Sequence, residues 1–563
     1  MSGFRGGVLA GLVAVAAACL VVIGASAASK PHQLKSKFTK HDQALLAKKR
    51  AHGVARVSLL VVTPRYKTAP VAKKLRKLGG KVVYRHNRLG YVRVLMPVRK
   101  AESASKLAGI QAINVDALVP LPDPHPDGAV NPTPQPAPDA STPRSNPYMP
   151  TRDTGAAQFV QSHPSWDGRG VTVGIVDSGV DLDHPSLNTT STGASKIQDW
   201  VTFTHPATDG DPTWRFFTGV LTQVTDGTTV QFGRTYTGIP NGAYRVARMR
   251  EDLLGATSEY GIACGSDLDR DATCGDFFLM LWQPGSDTTT TDDVLLIDSD
   301  NDSSLADESP MQDFSIDRDM GRFGHDNPAT PIRESVPFVV QPEAQPISGL
   351  FWVNIGIVSG AHGSHVAGIT AGNSLFGGQM SGAAPGAKLV SVRACLFTAG
   401  CTSHALIEGM IWVIETANVD VVNMSIGGLP ALNVDDATNT RAVLYNRLIE
   451  DNDVQMFLSA GNNGPGENTI GDPAITTKAM AMGAYIHKET WQKNYGSDST
   501  AVDNIHPFSS RGPSEDGSFK PQALAPGAAI SSVPTWQVGQ PVAGVHTLPP
   551  GYGMFNGTSM AAP

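Results

Sequence analysis

Cysteine is scarce in this chain, with 5 cysteines in 563 residues. Cys19 lies in an apolar run near the start, whereas Cys264, Cys274, Cys395 and Cys401 form two closely spaced pairs. No Cys-x-x-Cys and no histidine pair accompanies them, which disfavours a thiolate metal site. We therefore expect two local disulfides, although four cysteines allow three connectivities.

Long apolar runs are also rare, and the one at residues 8–23 has the flanks of a secretory signal. Arg5 precedes it and Ala25-Ser26-Ala27 follows it, which predicts a cleaved signal peptide at residues 1–29. A membrane anchor is the alternative, but the run is short for a spanning helix. We expect a secreted, extracellular protein with no stable membrane span, in which disulfides are permitted.

The formal net charge of −7 hides an uneven distribution. Residues 30–150 contain 22 lysines and arginines against 6 acidic residues, whereas residues 151–563 contain 21 against 45. A basic arm for nucleic acid is one explanation. The basic residues are interspersed in an ordinary folded pattern, so we instead expect the first segment to bind the second and expect no nucleic-acid partner.

The hydrophobic pattern of residues 30–122 predicts a small ferredoxin-like α+β domain. Its β-α-β-β-α-β order comes from strands at 57–62, 81–85, 91–96 and 113–119 and helices at 69–78 and 100–108. Residues 123–150 are rich in proline and predict an extended, exposed linker.

The remainder, residues 151–563, alternates apolar strands with longer helical periods. Strands are predicted at 389–393, 419–424, 454–459 and 479–485, with helices at 403–417 and 437–450. This alternation predicts an α/β fold with a doubly wound parallel sheet. Between Asp177 and His362 lie 184 residues, and we interpret about 205–350 as a β-rich insertion.

Three short motifs carry side chains suited to nucleophilic catalysis. Asp177 ends an apolar strand, His362 opens a helix of small residues, and Ser559 follows Gly557-Thr558 at the start of another helix. A serine hydroxyl needs a base to take its proton, and the imidazole needs a carboxylate to orient it. A helix N-terminus behind Ser559 would favour a developing oxyanion.

These motifs, in the order Asp, His, Ser, resemble those of subtilisin-like serine peptidases, the subtilases. The resemblance implies that Asp177, His362 and Ser559 are catalytic and that Asn462 is the oxyanion donor. It also implies that Ser425-Ile426-Gly427-Gly428 forms the substrate-binding edge and that residues 30–122 are an inhibitory propeptide. The large insertion resembles the pyrolysin and tripeptidyl-peptidase II branch. Further matching blocks are Asn423–Gly428, Ser459–Gly464, Phe508–Pro513 and Lys520–Gly527.

Each assignment has a neighbouring rival. His365 competes with His362, Asp181 and Asp183 compete with Asp177, and Asn463 competes with Asn462. The resemblance selects His362 and Asn462, while the two aspartates are better explained as turn caps or solvent-facing groups. Ser364 stands where the family usually has threonine.

An acidic stretch in the insertion is a candidate calcium site, formed by Asp298, Asp300, Asp302 and Asp307. Alternating carboxylates offer the hard oxygen ligands that Ca²⁺ prefers. Ser303 and Ser309 stand where an EF-hand would have glycine and glutamate, so this is not an EF-hand, and a solvated acidic turn is the alternative. Asp267, Asp269 and Asp271 form a second candidate.

Together these features predict a secreted serine endopeptidase made as an autoprocessed zymogen. It would act on proteins or peptides through an acyl-enzyme, need no cofactor for its chemistry and be inhibited by its own propeptide. A tripeptidyl exopeptidase is one alternative. An inactive secreted binding protein is another, because the sequence ends four residues after Ser559 and we expect the 151–563 domain to be C-terminally incomplete.

Overall fold

The computed structural model describes residues 36–121, 124, 139, 141–142 and 148–563, apart from 256–260, 263–264, 286–289, 344, 348, 398–399, 430–437, 540 and 543–545. The predicted signal peptide and most of the predicted linker lie outside these residues. The described part falls within one compact unit, Ser36–Pro563. Every helix found in it is too short or too polar to cross a bilayer.

The N-terminal domain, residues 36–121, is an antiparallel sheet with helices on one face. The strands lie in the order Lys81–His86, Tyr91–Pro97, Arg56–Val62 and Ala112–Val115, and the helices are Lys40–Ala51, Thr68–Lys77 and Ala101–Ser105. The β-α-β-β-α-β order agrees with the prediction. The first helix, which begins with a capping box between Thr39 and Asp42, was not predicted from the sequence.

Alternation along the central strand Arg56–Val62 gives this sheet two buried faces. Leu59 and Val61 pack against the domain's own helices, whereas Leu60 and Val62 join a cluster formed by the rest of the protein. Successive side chains of a strand point to opposite faces. One face therefore forms the domain's own core, and the other is a docking surface.

The second domain is built on an eight-stranded sheet. Its strands lie in the order Asp503–Ile505, Met480–His487, Gln455–Ser459, Val421–Met424, Thr172–Asp177, Lys388–Arg393 and Ile197–Thr202, with Ala523–Pro526 also pairing with Met480–His487. All pairings are parallel except that of Asp503–Ile505. The predicted doubly wound sheet is confirmed.

The central strand, Thr172–Asp177, lies where the strand order reverses. Later strands are added first on one side and then on the other, so a crevice forms beyond its carboxyl end. Val173 and Ile175 pack with the core around helix His362–Ala371, whereas Val176 packs with helix Ser403–Glu415 on the opposite face. This topology brings Asp177 to the place where α/β folds bind ligands.

The insertion contains two antiparallel four-stranded sheets, as its β-rich pattern predicted. One consists of Val294–Ile297, Phe277–Gln283, Gly242–Arg250 and Thr222–Val224, and the other of Gly321–Phe323, Val336–Pro342, Phe351–Gly356 and Trp214–Phe217. Strand Phe351–Gly356 lies just beyond the predicted end of the insertion at 350 and leads into the helix that begins at His362. A core cluster shared with the main sheet holds the insertion in place.

The remaining elements are short connections and hairpins. The helices are Ala156–Ser162, Pro185–Asn188, Phe314–Asp317, Leu375–Gly378, Thr440–Asn452, Lys488–Tyr495 and Thr558–Ala561, with 3₁₀ turns at Val98–Lys100 and Glu251–Leu254. The small sheets pair Thr229–Gln231 with Arg234–Tyr236, Gly261–Ile262 with Gly265–Ser266, Ala528–Ser532 with Tyr552–Asn556, and Pro541–Val542 with His546–Thr547. A further sheet joins Cys395–Leu396, Gly400–Thr402 and Leu118–Val119.

Candidate active site

Asp177 and His362 form a hydrogen-bonded pair at the carboxyl end of the central strand. His362 Nδ1 lies 2.9 and 3.0 Å from the two carboxylate oxygens of Asp177. Asp177 is fully buried, while His362, the first residue of its helix, is partly exposed. Because Nδ1 donates to the carboxylate, Nε2 is the ring nitrogen that can accept a proton.

Ser559 lies in the first turn of helix Thr558–Ala561 and is held by Ser425. Its hydroxyl donates to the main-chain oxygen of Ser425 at 2.8 Å, and the Ser425 hydroxyl donates to the main-chain oxygen of Ser559 at 2.8 Å. In this structure the Ser559 hydroxyl therefore donates to Ser425. Catalytic hydrogen bonds are often long or poorly aligned without substrate and tighten when the substrate binds.

Asn462 is hydrogen-bonded to the turn that carries Ser559. Its Oδ1 accepts from the backbone nitrogen and from the hydroxyl of Thr558, both at 2.9 Å. Gly557 has φ +140°, and a methyl group built there would lie 3.3 Å from Asn462 Nδ2 and 3.4 Å from the Ser559 nitrogen. Two N–H donors thus flank one small space that glycine leaves open, the arrangement that stabilises an oxyanion.

The rival residues have structural contacts. His365 is buried with Nε2 at 3.1 Å from the main-chain oxygens of Ala529 and Gly553, and burial lowers its pKa to about 3. Asp181 accepts from the backbone nitrogens of Asp183 and Thr535 at 3.0 and 2.9 Å.

Of the other two rivals, Asp183 is buried in an ion pair and does not face solvent, whereas Asn463 lies at the surface. The Asp183 carboxylate pairs with Arg322 at 2.7 and 2.9 Å. Asn463 is exposed, and its backbone nitrogen donates to the hydroxyl of Ser510.

The predicted substrate edge is only half accessible. Ser425 and Ile426 are buried, whereas Gly427 and Gly428 line a cavity of about 430 Å³ that also reaches Asn462. Gly428 exchanges backbone hydrogen bonds with Asp472 at 2.8 and 3.1 Å. The glycines leave room for an incoming backbone, while Ser425 holds Ser559.

Strand Gly400–Thr402, which immediately precedes the cavity-lining Ser403, was not predicted from the sequence. It pairs with Leu118–Val119 from the end of the N-terminal domain, which also lines the cavity. A disulfide between Cys395 and Cys401 closes the hairpin, as one of the predicted local pairs. Cys274 is also disulfide-bonded, and its predicted partner, Cys264, lies outside the described residues.

Charged side chains are buried where the N-terminal domain docks on helix Ser403–Glu415. Glu408 accepts from Arg93 at 2.7 and 2.9 Å and from the Tyr91 hydroxyl at 3.1 Å. Nearer the rim, Arg88 pairs with Glu415 at 2.6 Å. Basic groups of the first domain thus meet acidic groups of the second.

His404, on the same helix, connects three segments of the chain. Its ring nitrogens lie 2.8 Å from Asp116 of the N-terminal domain and 3.2 Å from Asp209 of the insertion. Burial favours the neutral ring, but the two carboxylates outweigh that effect and raise the pKa of His404 to about 10. The imidazole is therefore charged at neutral pH in this assembly.

Three of the four predicted calcium ligands come together. Asp298, Asp300 and Asp302 each place a carboxylate oxygen within 4.8 Å of the others, and such a set of oxygens suits a hard divalent cation. Asp307 is not a member of this group and lines a neighbouring cavity of about 270 Å³. Burial and the nearby carboxylates raise the pKa of Asp298 to about 7.

Comparisons with known proteins agree with these two domains. Residues 357–563 match the family model described as Subtilase family, and residues 25–116 match the Putative peptidase inhibitor domain. Pyrolysin of Pyrococcus furiosus is 28% identical over 91% of this chain and 38% of its own length. Tripeptidyl-peptidase 2 of Caenorhabditis elegans is 29% identical over 73% of this chain and 32% of its own.

The chain spans between 32% and 39% of the length of these relatives and of the serine protease AprX of Bacillus subtilis, which is 32% identical over 31% of this chain. Two solved structures are similar. That of tripeptidyl peptidase 2 has a TM-score of 0.47 at 19% identity, covering 66% of this chain and 32% of its own. That of fervidolysin from Fervidobacterium pennivorans has a TM-score of 0.46 at 17% identity, covering 90% and 53%.

Proposed function

Since this chain belongs to the subtilase family, we propose that it hydrolyses peptide bonds as a serine endopeptidase. The observation that carries the proposal is the hydrogen-bonded Asp177–His362 pair. The helix that carries Ser559 contacts the helix that begins at His362, and two N–H donors flank the space at Gly557. Ser559 Oγ attacks the scissile carbonyl carbon while its proton passes to His362 Nε2. Asp177 keeps the imidazole oriented and stabilises its positive charge.

The remaining steps follow from the same groups. The carbonyl oxygen becomes an oxyanion and accepts from Asn462 Nδ2 and the Ser559 N–H. His362 then returns the proton to the leaving amine, which leaves an acyl-Ser559 ester. Water attacks this ester with His362 again as the base. The carboxylic acid product is released, and the Ser559 hydroxyl is regenerated.

The N-terminal domain acts in this proposal as an intramolecular inhibitor. Its strand Leu118–Val119 occupies the edge offered by Gly400–Thr402, and the next residue, Pro120, lines the cavity that reaches Asn462. Strand addition of this kind gives affinity through main-chain hydrogen bonds. We propose that the protein is exported by residues 1–29 and cleaves itself between its two domains.

The decisive experiment compares the wild type with Ser559→Ala in a complete reading frame. The wild type should react with a fluorophosphonate probe and release the N-terminal domain, while S559A should do neither. A folded wild-type protein that resists labelling would contradict the enzymatic proposal. A mature form arising from purified S559A would contradict self-cleavage alone.

A tripeptidyl exopeptidase is the second candidate, favoured by the similarity to tripeptidyl-peptidase 2 over 73% of this chain. Paired peptide substrates with free and acetylated amino termini separate the two. An endopeptidase cleaves both at similar rates, whereas an exopeptidase requires the free amine.

We also propose that Asp298, Asp300 and Asp302 hold a structural Ca²⁺. The support is their convergence and the buried Asp298 Oδ2, which has no hydrogen-bond partner within the described ranges. The ion would offset three carboxylate charges and take no part in the hydrolysis.

A further inference from the structure

A second group of carboxylates lies in the same insertion and is more deeply buried. Glu251, Asp267 and Asp269 each place an oxygen within 4.8 Å of the others, and their exposed fractions are 0%, 3% and 7%. The sequence suggested Asp267, Asp269 and Asp271 as a set. The structure instead adds Glu251, which is 16 positions earlier in the chain than Asp267.

Two carboxylate oxygens of this group have no use in the fold itself. Asp267 Oδ1 and Asp269 Oδ1 are buried and have no hydrogen-bond partner in the part of the chain that the structure describes. Burying an ionised oxygen without a partner is costly, and native proteins usually satisfy such groups with a donor, water or an ion. These two oxygens therefore point to a ligand.

The loop that carries them is already organised by other atoms. Glu251 accepts from the backbone nitrogens of Leu268 at 2.9 Å, Gly275 at 2.8 Å and Asp276 at 2.9 Å. Asp267 Oδ2 accepts from the Ala272 nitrogen at 3.1 Å. The loop is thus held in shape while Asp267 Oδ1 and Asp269 Oδ1 stay available.

This loop has the same backbone form as the 298–303 loop. In each, the first aspartate accepts from the nitrogen five residues later, at 3.1 Å from Ala272 and at 3.3 Å from Ser303. The third and fifth residues after that aspartate have positive φ in both loops, 60° and 69° in one and 63° and 70° in the other.

The two loops are also neighbours, and Gly324 lies between them. Its nitrogen donates to the Ser299 main-chain oxygen at 3.1 Å. A methyl group built on Gly324 would lie 2.1 Å from the Asp269 main-chain oxygen, so only glycine fits. A cation in either loop would lie beside the other loop.

We propose that the 267–276 loop is a second Ca²⁺ site, with Glu251, Asp267 and Asp269 as protein ligands. Three carboxylates supply the hard oxygens and the negative charge that this ion requires, and Ca²⁺ tolerates the irregular geometry of such a loop better than Mg²⁺ does. The insertion then carries two adjacent ions. None of these three ligands belongs to the proposed triad, so the ion-binding test does not depend on peptidase activity.

The test uses full-length S559A protein, which cannot digest itself, stripped with chelator and titrated with CaCl₂. Calorimetry should show two ions in the insertion. Asp267→Asn with Asp269→Asn should lose one of them, and Asp300→Asn with Asp302→Asn should lose the other. Asp252→Asn is the matched control, because Asp252 is exposed, adjoins Glu251 and pairs with Arg250.

Hydrogen–deuterium exchange locates the second ion without relying on a variant that folds. Peptides covering 267–276 should exchange at least tenfold more slowly with Ca²⁺ than with chelator, and Mg²⁺ at the same concentration should protect them less. Equal exchange in both conditions would overturn the proposal. So would D267N/D269N protein that binds as many ions as its parent.

Discussion

The Ser559 hydroxyl and the Ser425 hydroxyl each donate to the other residue's main-chain oxygen, both at 2.8 Å. This reciprocal pair ties the short helix Thr558–Ala561 to the segment that follows strand Val421–Met424. The proposed nucleophile is thereby positioned by a residue that the resemblance assigned to substrate binding.

Ser425→Ala should therefore impair catalysis through the position of Ser559. The variant loses two buried hydrogen bonds of the Ser425 hydroxyl, one donated to the Ser559 main-chain oxygen and one accepted from Asn423 Nδ2. This loss should lower the free energy of unfolding by about 1–3 kcal/mol. We expect kcat to fall while KM changes little, measured with a peptide substrate beside thermal unfolding. Ser499→Ala serves as the control, because Ser499 is only half-buried and its hydroxyl donates to the nearby Ala501 main-chain oxygen at 3.2 Å. Unchanged kcat and stability in S425A would show that the pair has no positioning role.

Asn462→Ala should reduce kcat by about 10²–10³-fold, the usual effect of removing one oxyanion donor. Asn462 also accepts from Thr558, so lost stability could mimic lost catalysis. Asn462→Asp separates the two effects because it keeps the acceptor oxygen and removes the donor nitrogen. Near-wild-type kcat in N462D would contradict the donor role.

Arg93→Ala should weaken the hold of the N-terminal domain on the mature enzyme. Removing one partner of a buried ion pair costs about 3–5 kcal/mol, so the inhibition constant of added residues 30–122 should rise at least 100-fold. Stopped-flow kinetics should assign most of this loss to faster dissociation.

The matched comparison neutralises Lys73, Lys74, Arg76 and Lys77, which are exposed on the helix of the opposite sheet face. Long-range attraction to the acidic second domain should make their loss slow association, most strongly at low salt. An association rate that ignores both salt and these substitutions would exclude electrostatic steering. If the Arg93→Ala domain had the same inhibition constant as the wild-type domain, the buried Arg93–Glu408 pair would be excluded as an anchor.

Chelation should lower the melting temperature of the mature enzyme, and Asp300→Ala with Asp302→Ala should reduce that sensitivity. An ion that binds only the native state stabilises it by RT ln(1 + c/Kd), where c is the free ion concentration, so removing the free ion removes that contribution. Differential scanning fluorimetry with and without chelator measures this shift. A double variant as sensitive as the wild type would place the stabilising ion elsewhere.

His506 should make the protein less stable in acid. Burial lowers the pKa of His506 to about 4, so below pH 6.5 the unfolded chain binds a proton that the native ring does not. Stability attributable to this residue is therefore complete above pH 6.5 and falls towards pH 4, by up to about 1.4 kcal/mol per pH unit.

His506→Phe should flatten that part of the pH profile, because the ring stacks on Phe508 and its nitrogens make no hydrogen bond to the residues that the structure describes. Urea unfolding at pH 7, 6, 5 and 4 provides the measurement. His52→Phe, at an exposed position, should leave the slope unchanged. An identical slope in H506F and the wild type would contradict the assignment.

Local patterns predicted much of the fold because each element carries its own periodicity. The strand ending at Asp177 and the helix at 403 could be predicted from a dozen residues each. The helix Lys40–Ala51 escaped notice because its sequence is strongly polar and only its capping box indicates a helix start. The pairing of Asp116 with His404 joins residues 288 positions apart, and no local pattern reports such contacts.

The candidate site, like the fold, could be predicted only in part from local sequence patterns. Motif order predicted that Asp177 and His362 lie together at the sheet edge, because the topology of a doubly wound fold is restrictive. It did not predict that Ser425 faces Ser559, that Gly400–Thr402 offers an edge, or that Glu251 joins Asp267. These relations depend on the path of each loop, which the spacing of residues does not fix.

One face of helix Ser403–Glu415 has to be stable in two environments, first covered by the N-terminal domain and then exposed to water. Under the N-terminal domain, Glu408 lies in a dry contact with Arg93, and Met410 is buried in a shared apolar cluster. If that domain leaves, as we propose, the same helix face becomes exposed to water. A carboxylate is well hydrated there, whereas a fully apolar face would favour association with other chains. Glu408→Leu would suit only the covered form. In our proposal, Glu408 therefore has two effects: it anchors the N-terminal domain through Arg93, and it keeps this helix face polar after that domain is released.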